Sequence, residues 1–277
     1  MRKSKRLRIL LCGFCTEDRV GNNSYFGGAA GAMALNMSGL GVRCGLLSIL
    51  GNDRMSSRYL TELKKRGVNL SLVYRVSHRI PLLTVTNGEN REASRTFDDF
   101  GTLHDLADLK PDNAIFNNYD ILHIVNTPEH LADYVARHFR GTVSYCPGSL
   151  FIRDKHELSA HLLKKARYVF CNEEEYDTLI QSTPIARLFK KNLTYVFKTQ
   201  GDRGVIVFSP TTTRHFSPIK SKTVIDTTGA GDAFALGVLE GISKSESLER
   251  SIQKGLHYAA SCVGKEGVVF TEGPRLL

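Results

Sequence analysis

Residues 224–234 read VIDTTGAGDAF and place a glycine-rich turn between two threonines and an aspartate. The stretch KTVI (222–225) before this turn is strand-like, and a helical pattern begins at about Ala230. Backbone N–H groups at the start of a helix lack intrahelical partners and collect anions, and glycine lets a phosphate approach the main chain. The sequence therefore predicts a phosphate site formed by the amides of Gly229, Ala230 and Gly231.

Asp232, in the first turn of this helix, needs a separate explanation because a carboxylate and a phosphate repel each other. The arrangement is explained if Asp232 accepts the proton of a hydroxyl that attacks phosphorus, so that base, nucleophile and anion site share one loop. The alternative is a carboxylate that only stabilises the start of the helix, where aspartate is common. The residues of this stretch leave both interpretations open.

Short apolar runs alternate with helical patterns along the rest of the chain. Strands are predicted at 7–12, 43–50, 119–125, 142–146, 168–171, 194–198 and 204–208. Helices are predicted at 29–40, 55–66, 128–139, 155–165, 173–181, 230–243 and 247–263. Several strands are apolar throughout, as parallel strands covered on both faces are. The pattern predicts a single α/β domain over residues 1–277, with a doubly wound, mostly parallel sheet and helices on both faces.

Residues 80–97, IPLLTVTNGENREASRTF, interrupt this rhythm. They alternate apolar and polar residues around NGEN (87–90), and an Asn-Gly pair between such runs predicts a hairpin. A two-stranded excursion from an α/β domain is either a lid over a site or an edge hairpin, and the pattern favours neither.

The charge of the chain excludes little by itself. The 277 residues include 37 Lys+Arg and 28 Asp+Glu, a formal net charge of +9, which would suit a nucleic acid or a small polyanion. The basic residues are dispersed, however, and several lie in short groups near the ends of predicted helices: Lys64-Lys65-Arg66, Lys164-Lys165 and Lys190-Lys191. Basic residues there complement the helix dipole, so we predict a solvated surface and no nucleic-acid partner.

No stretch of the sequence suggests a membrane or a metal cluster. The run ILLCGF (9–14) is too short for a signal peptide or for the roughly 18 apolar residues of a membrane span. We therefore expect no membrane partner and a cytoplasmic protein. The 6 cysteines are scattered, and Cys12 and Cys15 have no second pair to complete a zinc site.

The motif DTTGAGDAF resembles the second signature of the PfkB (ribokinase-like) family of sugar and nucleoside kinases. Four further segments match family landmarks in the family's order: GGAAGAMALNMSGLG (27–41), GNDRMSSRYLTELKKRGVNLSLV (51–73), NEEE (172–175) and TQGDRG (199–204). The resemblance implies a ribokinase-like fold with a small β lid over the main sheet.

The resemblance also implies roles for residues on the nucleotide side. Asp232 corresponds to the family's catalytic base, and the amides of Gly229 to Gly231 to its anion hole. Asn172 and Glu175 match the N-x-x-E positions, where the family holds Mg²⁺ through water and positions the phosphates of ATP. The alternative is that Glu173, Glu174 and Glu175 only begin a helix after a strand.

The resemblance also assigns roles to residues of two further segments. Thr199, Gly201 and Gly204 match the nucleotide loop. Asp226 and Thr228 fall where some members of the family bind a monovalent cation such as K⁺.

On the acceptor side, Asp18 falls where the family's first strand ends with an aspartate that binds substrate hydroxyls. Gly27 and Gly28 match a glycine pair that lets the acceptor lie against the backbone. A carboxylate accepts two hydroxyl hydrogen bonds at once, which suits a polyol.

Two departures from the family pattern bear on the acceptor. Ala32 stands where the family commonly has asparagine. The chain between Asp18 and Gly27 is also too short, on this reasoning, for the usual first pair of lid strands. We therefore expect a reduced lid formed by residues 80–97 with part of 14–26. Because the lid often forms the family's dimer contact, a homodimer is left open.

These observations predict an ATP-dependent kinase that phosphorylates a hydroxyl of a sugar or sugar derivative. A nucleoside acceptor, or a non-catalytic kinase-fold protein that binds a ligand, are the alternatives; Ala32 and the short lid segment favour the latter, and Asp232 opposes it. A nicotinamide-dependent oxidoreductase and a P-loop kinase are excluded, because neither G-x-G-x-x-G nor G-x-x-x-x-G-K-[ST] occurs.

Overall fold

Thirteen strands and nine α-helices lie within residues 7–87, 93–148, 160–182 and 184–269, which the computed structural model describes. The strands are β1 (Ile9–Cys12), β2 (Thr16–Val20), β3 (Asn23–Gly27), β4 (Cys44–Leu50), β5 (Asn69–Arg75), β6 (Leu82–Asn87), β7 (Ala93–Asp99), β8 (Ile121–Val125), β9 (Thr142–Cys146), β10 (Ala166–Cys171), β11 (Tyr195–Thr199), β12 (Val205–Phe208) and β13 (Thr213–Phe216). The helices are α1 (Ala29–Gly39), α2 (Arg54–Lys65), α3 (Leu103–Ala107), α4 (Glu129–His138), α5 (Ala160–Lys165), α6 (Glu173–Ser182), α7 (Ile185–Phe189), α8 (Ala230–Ser243) and α9 (Leu248–Cys262).

Nine of these strands form one sheet in the order β13-β12-β11-β10-β9-β8-β1-β4-β5. The seven strands from β11 to β5 are parallel, and β12 and β13 extend the sheet antiparallel at one edge. The chain adds β4 and β5 on one side of β1 and then returns to add β8 on the other side. This reversal is the doubly wound arrangement that the sequence predicted.

Strand β1 shows why the sheet is covered on both faces. Its sequence ILLC is apolar throughout and fully buried, and successive side chains of a strand point to opposite faces. Ile9 and Leu11 pack in a cluster with α1, α2, α8 and α9, whereas Leu10 and Cys12 pack in a cluster with α3 to α7. Full burial of each such leucine or isoleucine contributes about 1.5–3 kcal/mol.

A second, four-stranded sheet has the order β3-β2-β6-β7. It contains the 80–97 excursion as β6 and β7, but residues 88–92, which include most of the NGEN turn, lie outside the described residues. Strands β2 and β3 pair antiparallel, with Val20 opposite Asn23. The argument that the segment before Gly27 is too short for a strand pair was therefore wrong, because a turn at Gly21 and Asn22 is enough to connect two five-residue strands.

The predicted strand at 222–225 is also wrong. These residues have irregular backbone, and the Val224 and Ile225 side chains are 39% and 41% exposed. The Ile225 N–H donates to the carbonyl of Val263, 2.7 Å away, just after α9. The segment therefore runs beside the end of a helix, where β-propensity does not decide its conformation.

No helix in the described part of the chain combines the length and the apolar character needed to cross a bilayer.

Candidate active site

A cleft of about 230 Å³ lies at the carboxyl ends of β8 to β11, facing the start of α8. In open α/β sheets, ligands bind in the crevice outside the carboxyl ends of the strands. Its lining includes seven of the residues that the sequence predicted: Asn172, Glu175, Thr199, Gly229, Ala230, Gly231 and Asp232. Residues far apart in the sequence therefore share one cleft.

The start of α8 is shaped by its glycines. Gly229 is the N-cap residue and has a left-handed backbone (φ 75°), and a Cβ there would lie 2.5 Å from Cγ1 of Val268. Because glycine has no side chain, it cannot cap the N–H groups of the first turn, and the Ala230 N–H instead donates to the Thr227 carbonyl at 3.3 Å. At Gly231 an added Cβ would meet no atom of the described residues within 4 Å. The backbone near Gly231 is therefore open to a close approach.

Asn172 and Glu175 cap the start of α6 reciprocally. The Asn172 N–H donates to Glu175 Oε2 at 3.0 Å, and the Glu175 N–H donates to Asn172 Oδ1 at 2.8 Å. This is a capping box, so the helix-start interpretation of Glu175 has geometric support. The same hydrogen bonds also hold a carboxylate that is only 5% exposed at the wall of the cleft. Capping and a role in the cleft are therefore compatible.

The electrostatics of the cleft favour a bound cation. Burial, with a smaller contribution from the nearby charges of Asp232 and Glu174, raises the pKa of Glu175 to about 7, although the hydrogen bond from the Asn172 N–H lowers it. Burial, together with Glu175 and Asp232, also holds the pKa of the Cys146 thiol well above its ordinary value. The described lining includes these two carboxylates and no lysine or arginine. A cation here would relieve the repulsion between the carboxylates.

Magnesium fits this donor set. Mg²⁺ prefers oxygen ligands and commonly uses one or two carboxylates, several waters and the phosphates of a nucleotide. Glu175 and Asp232 supply carboxylate oxygens in one cleft. Within the described ranges no group of three or more His, Cys, Asp or Glu side chains could hold a metal ion by itself. A metal held by Glu175 and Asp232 would therefore need further ligands, such as water or the oxygens of a bound phosphate.

The predicted nucleotide loop divides into two parts. Thr199 ends β11 and lines the cleft, and its hydroxyl donates to the carbonyl of Cys171 at 3.3 Å. Gly201 and Gly204 instead form the left-handed turn between β11 and β12, with φ of 59° and 91°, and do not line the cleft. A Cβ on Gly204 would lie 2.2 Å from the carbonyl oxygen of Phe216, so glycine is required there for packing.

Asp226 and Thr228 lie in the loop that enters α8. Both are nearly buried, and the Thr228 N–H donates to Asp226 Oδ1 at 2.8 Å. The Cys262 thiol donates to the Thr228 carbonyl at 3.2 Å. Asp226 thus stabilises the loop conformation, and neither residue lines the cleft.

The predicted acceptor residues lie in and beside the small sheet, outside the lining of the cleft. Asp18 is in β2, not at the end of β1 as predicted, is 5% exposed and accepts a hydrogen bond from the Thr16 hydroxyl. Gly27 ends β3, and its carbonyl accepts the Tyr59 hydroxyl at 2.9 Å. Gly28 has φ of 78°, and a Cβ there would lie 2.6 Å from the carbonyl oxygen of residue 14. Ala32 is buried in α1.

The structure adds Asn126, which sequence reasoning missed. It follows β8, lines the cleft and has a left-handed backbone (φ 47°), which asparagine tolerates better than most residues. Its Oδ1 is buried and has no hydrogen-bond partner among the described residues. The sequence signal that could have indicated Asn126 is its position as the first residue after the buried strand ILHIV (121–125).

The comparisons with known proteins agree with this architecture. The sequence profile described as pfkB family carbohydrate kinase matches residues 19–272. The chain is 27% identical over 251 residues to a nucleoside kinase of Methanocaldococcus jannaschii, covering 88% of this chain and 80% of that protein. It is 25% identical over 250 residues to fructoselysine 6-kinase of Escherichia coli (strain K12), covering 89% and 92%.

The fold is likewise similar to solved structures. The crystal structure of the Methanocaldococcus jannaschii nucleoside kinase, an archaeal member of the ribokinase family, superposes with a TM-score of 0.87 at 23% identity, covering 97% of this chain and 95% of that one. This similarity confirms the ribokinase-like fold that was predicted from the sequence.

Proposed function

Since the chain belongs to the pfkB family of carbohydrate kinases, we propose that it transfers the γ-phosphoryl group of ATP to a hydroxyl of a sugar or sugar derivative. One observation carries the proposal: the open glycine turn, the half-buried Asp232 and the buried Glu175 line a single cleft. An amide-rich helix start suits a phosphoryl group, and a carboxylate beside it suits the proton of an attacking hydroxyl.

In this mechanism Asp232 accepts the proton of the acceptor hydroxyl as its oxygen attacks the γ-phosphorus, while the bond from that phosphorus to the β,γ-bridging oxygen breaks and ADP leaves. The backbone N–H groups at Gly229, Ala230 and Gly231 donate hydrogen bonds to the oxygens on which negative charge develops. Bound Mg²⁺, held through Glu175 and water, would neutralise charge on the phosphates. The Asn172 N–H bond keeps the Glu175 carboxylate in place on the cleft wall.

The acceptor is proposed to bind against the small sheet. Asp18 is fixed by the Thr16 hydroxyl and faces Gly27, and a fixed carboxylate can accept hydrogen bonds from two hydroxyls of a polyol. The sheet β3-β2-β6-β7 would act as a lid that excludes water from the transferred phosphoryl group. Asp226 and Thr228 remain a proposed site for a monovalent cation.

A nucleoside acceptor is the second candidate. It is favoured by the similarity to the Methanocaldococcus jannaschii nucleoside kinase, which is as extensive as the similarity to fructoselysine 6-kinase. Both acceptor classes present ribose-like or open-chain hydroxyls, so the same base and anion site would serve either.

The test is ADP release coupled to a spectroscopic readout, with Mg-ATP and a panel of sugars, sugar phosphates, glycated amines and nucleosides. We expect one acceptor class to stimulate ADP release in the wild type and not in Asp232→Asn. Stimulation by nucleosides alone would select the second candidate. Nucleotide binding without stimulation by any class would favour a non-catalytic protein, and stimulation that persists in Asp232→Asn would contradict the assigned base.

A further inference from the structure

A second cavity lies at the amino ends of the parallel strands, on the opposite edge of the large sheet from the candidate active site. Its volume is about 690 Å³, against about 230 Å³ for the cleft. Thr142 begins β9 and lines this cavity, whereas Cys146 ends β9 and lines the cleft. A five-residue strand spans roughly 15 Å, so the two sites are separate.

The cavity is strongly basic. Four cationic side chains line it: Arg140, Lys164, Lys165 and Arg167. The carboxylate among the described lining residues is Asp120, which accepts the Arg8 N–H at 2.8 Å and lies 3.9 Å from Arg8 Nε. Among the residues that the structure describes, none of the four lining cations forms an ion pair with a carboxylate. Within the described part of the chain, the cavity therefore concentrates positive charge that carboxylates do not neutralise.

The basic groups converge on this cavity from separate elements. Lys164 and Lys165 end α5, and the loop that follows Lys190-Lys191 is fixed beside them, because the Asn192 amide donates to the Lys165 carbonyl at 2.7 Å. Complementing a helix dipole explains a basic pair at the end of one helix. It does not explain why Arg140, in the connection between α4 and β9, lines the same cavity.

We propose that this cavity binds a small polyanion, namely a molecule that carries two or more phosphate groups. Guanidinium groups hydrogen-bond phosphate oxygens in pairs, and ammonium groups add point charges. The amides of Asn117 and Asn192 add neutral donors. A concave site of this volume matches small-molecule pockets, whereas a nucleic acid or a bilayer would contact a broader surface.

The test uses sodium tripolyphosphate as the probe, titrated calorimetrically at constant ionic strength into the wild type and two double variants. Lys164→Gln/Arg167→Gln removes two exposed cations of the cavity. Lys64→Gln/Lys65→Gln is the matched control, because this exposed pair ends α2 and does not line the cavity. Melting temperatures establish that each variant is folded, and Arg140→Gln replaces the cavity variant if it is not.

We expect the wild type and the control to bind tripolyphosphate alike, and the cavity variant to bind it roughly tenfold more weakly or worse, as the loss of charge-assisted hydrogen bonds predicts. Binding to the wild type should also weaken as salt is raised. Equal affinity in all three proteins would assign the probe to the active cleft and overturn the proposal. No binding to the wild type would also overturn it, including where RNA or anionic vesicles bind instead.

Discussion

The carboxylate of Asp18 occupies the space that a side chain at Gly27 would need: an ideal Cβ on Gly27 would lie 2.0 Å from Cγ of Asp18. The pairing of β2 with β3 creates this contact. Glycine at position 27 is therefore what allows the aspartate to lie against the backbone, where the acceptor is proposed to bind.

Gly27→Ala should consequently displace the Asp18 carboxylate. We expect kcat/KM for the acceptor to fall by about tenfold to a hundredfold, the cost of one or two charge-assisted hydrogen bonds, while KM for ATP changes little. Asp18→Ala should give the same pattern. The control is Gly39→Ala, because among the described residues a Cβ there meets only the Arg66 guanidinium, at 3.7 Å. An equal loss for both substrates would instead indicate a general disturbance of the fold.

Glu175 should make stability depend on pH in the absence of ligands. Its pKa is raised from 4.5 to about 7 by burial, so the folded state holds a proton that the unfolded chain has already lost. The bound proton therefore stabilises the folded state fully below pH 4.5. As the pH rises through 7, the free energy of unfolding falls by up to roughly 3 kcal/mol. Glu175→Gln should flatten this dependence, whereas Glu174→Gln, at an exposed position, should not.

Denaturant unfolding at pH 5 and pH 8 measures this difference. In turnover assays Glu175→Gln should also require more Mg²⁺ for half-maximal activity. Parallel stability curves for Glu175→Gln and the wild type, together with an unchanged magnesium titration, would leave Glu175 with its capping role alone.

His123 predicts a second pH effect with the opposite sign. It is fully buried in β8, where Nδ1 contacts the Ser144 hydroxyl at 2.9 Å, and burial lowers its pKa from 6.5 to about 3. The unfolded chain binds a proton below pH 6.5 and the folded chain does not, so stability falls between pH 6.5 and 3, by up to roughly 5 kcal/mol. His123→Gln should reduce the slope measured by urea unfolding over that range. His138→Gln, at an exposed position, should keep the wild-type slope, and if His123→Gln keeps it too, the histidine is not the source.

The elements of the fold that could be predicted from the sequence are those specified by interactions between residues close together in the chain. Strand β8 and helix α8 were predicted because their own apolar patterns specify them. The contact of Asp18 with Gly27 was missed because TEDRV and NSYFG lack regular alternation, and their pairing is specified by a two-residue turn. The run at 222–225 has β-propensity but no strand beside it, so tertiary context overrides propensity there.

The candidate site shows the same division. The resemblance of short motifs to those of the family predicted Asp232 and Glu175 as site residues, and both line the cleft. The burial of Asn126 Oδ1, which has no hydrogen-bond partner among the described residues, depends on packing between strands that are distant in the sequence. Likewise, the convergence of the basic residues on the opposite edge of the sheet required the three-dimensional arrangement.

Two glycines of the α8 turn should respond differently to alanine. At Gly229 the left-handed φ of 75° and the Val268 contact make Gly229→Ala destabilising, by about 1–3 kcal/mol. The methyl group of Gly231→Ala would meet no atom of the described residues within 4 Å, and the position lies in a helix, so stability should be unchanged or up to about 1 kcal/mol higher. The added methyl group borders the cleft, however, and turnover should fall. Thermal unfolding and steady-state kinetics of both variants distinguish a loss of stability from a loss of turnover. Wild-type turnover in Gly231→Ala would argue against contact between this amide and the phosphoryl group.

Asp232→Asn provides the decisive test of the proposed mechanism. The substitution keeps the size of the side chain at the start of α8 and removes its ability to take a proton. We expect calorimetric ATP binding to persist, or to tighten slightly as a negative charge leaves the cleft, while kcat falls by about two to four orders of magnitude, the usual contribution of a positioned base. Gly231→Ala is a useful comparison, because it alters the anion site and leaves the base in place. If Asp232→Asn, folded and binding ATP normally, keeps more than roughly a tenth of the wild-type kcat, Asp232 serves only to stabilise the helix N-terminus.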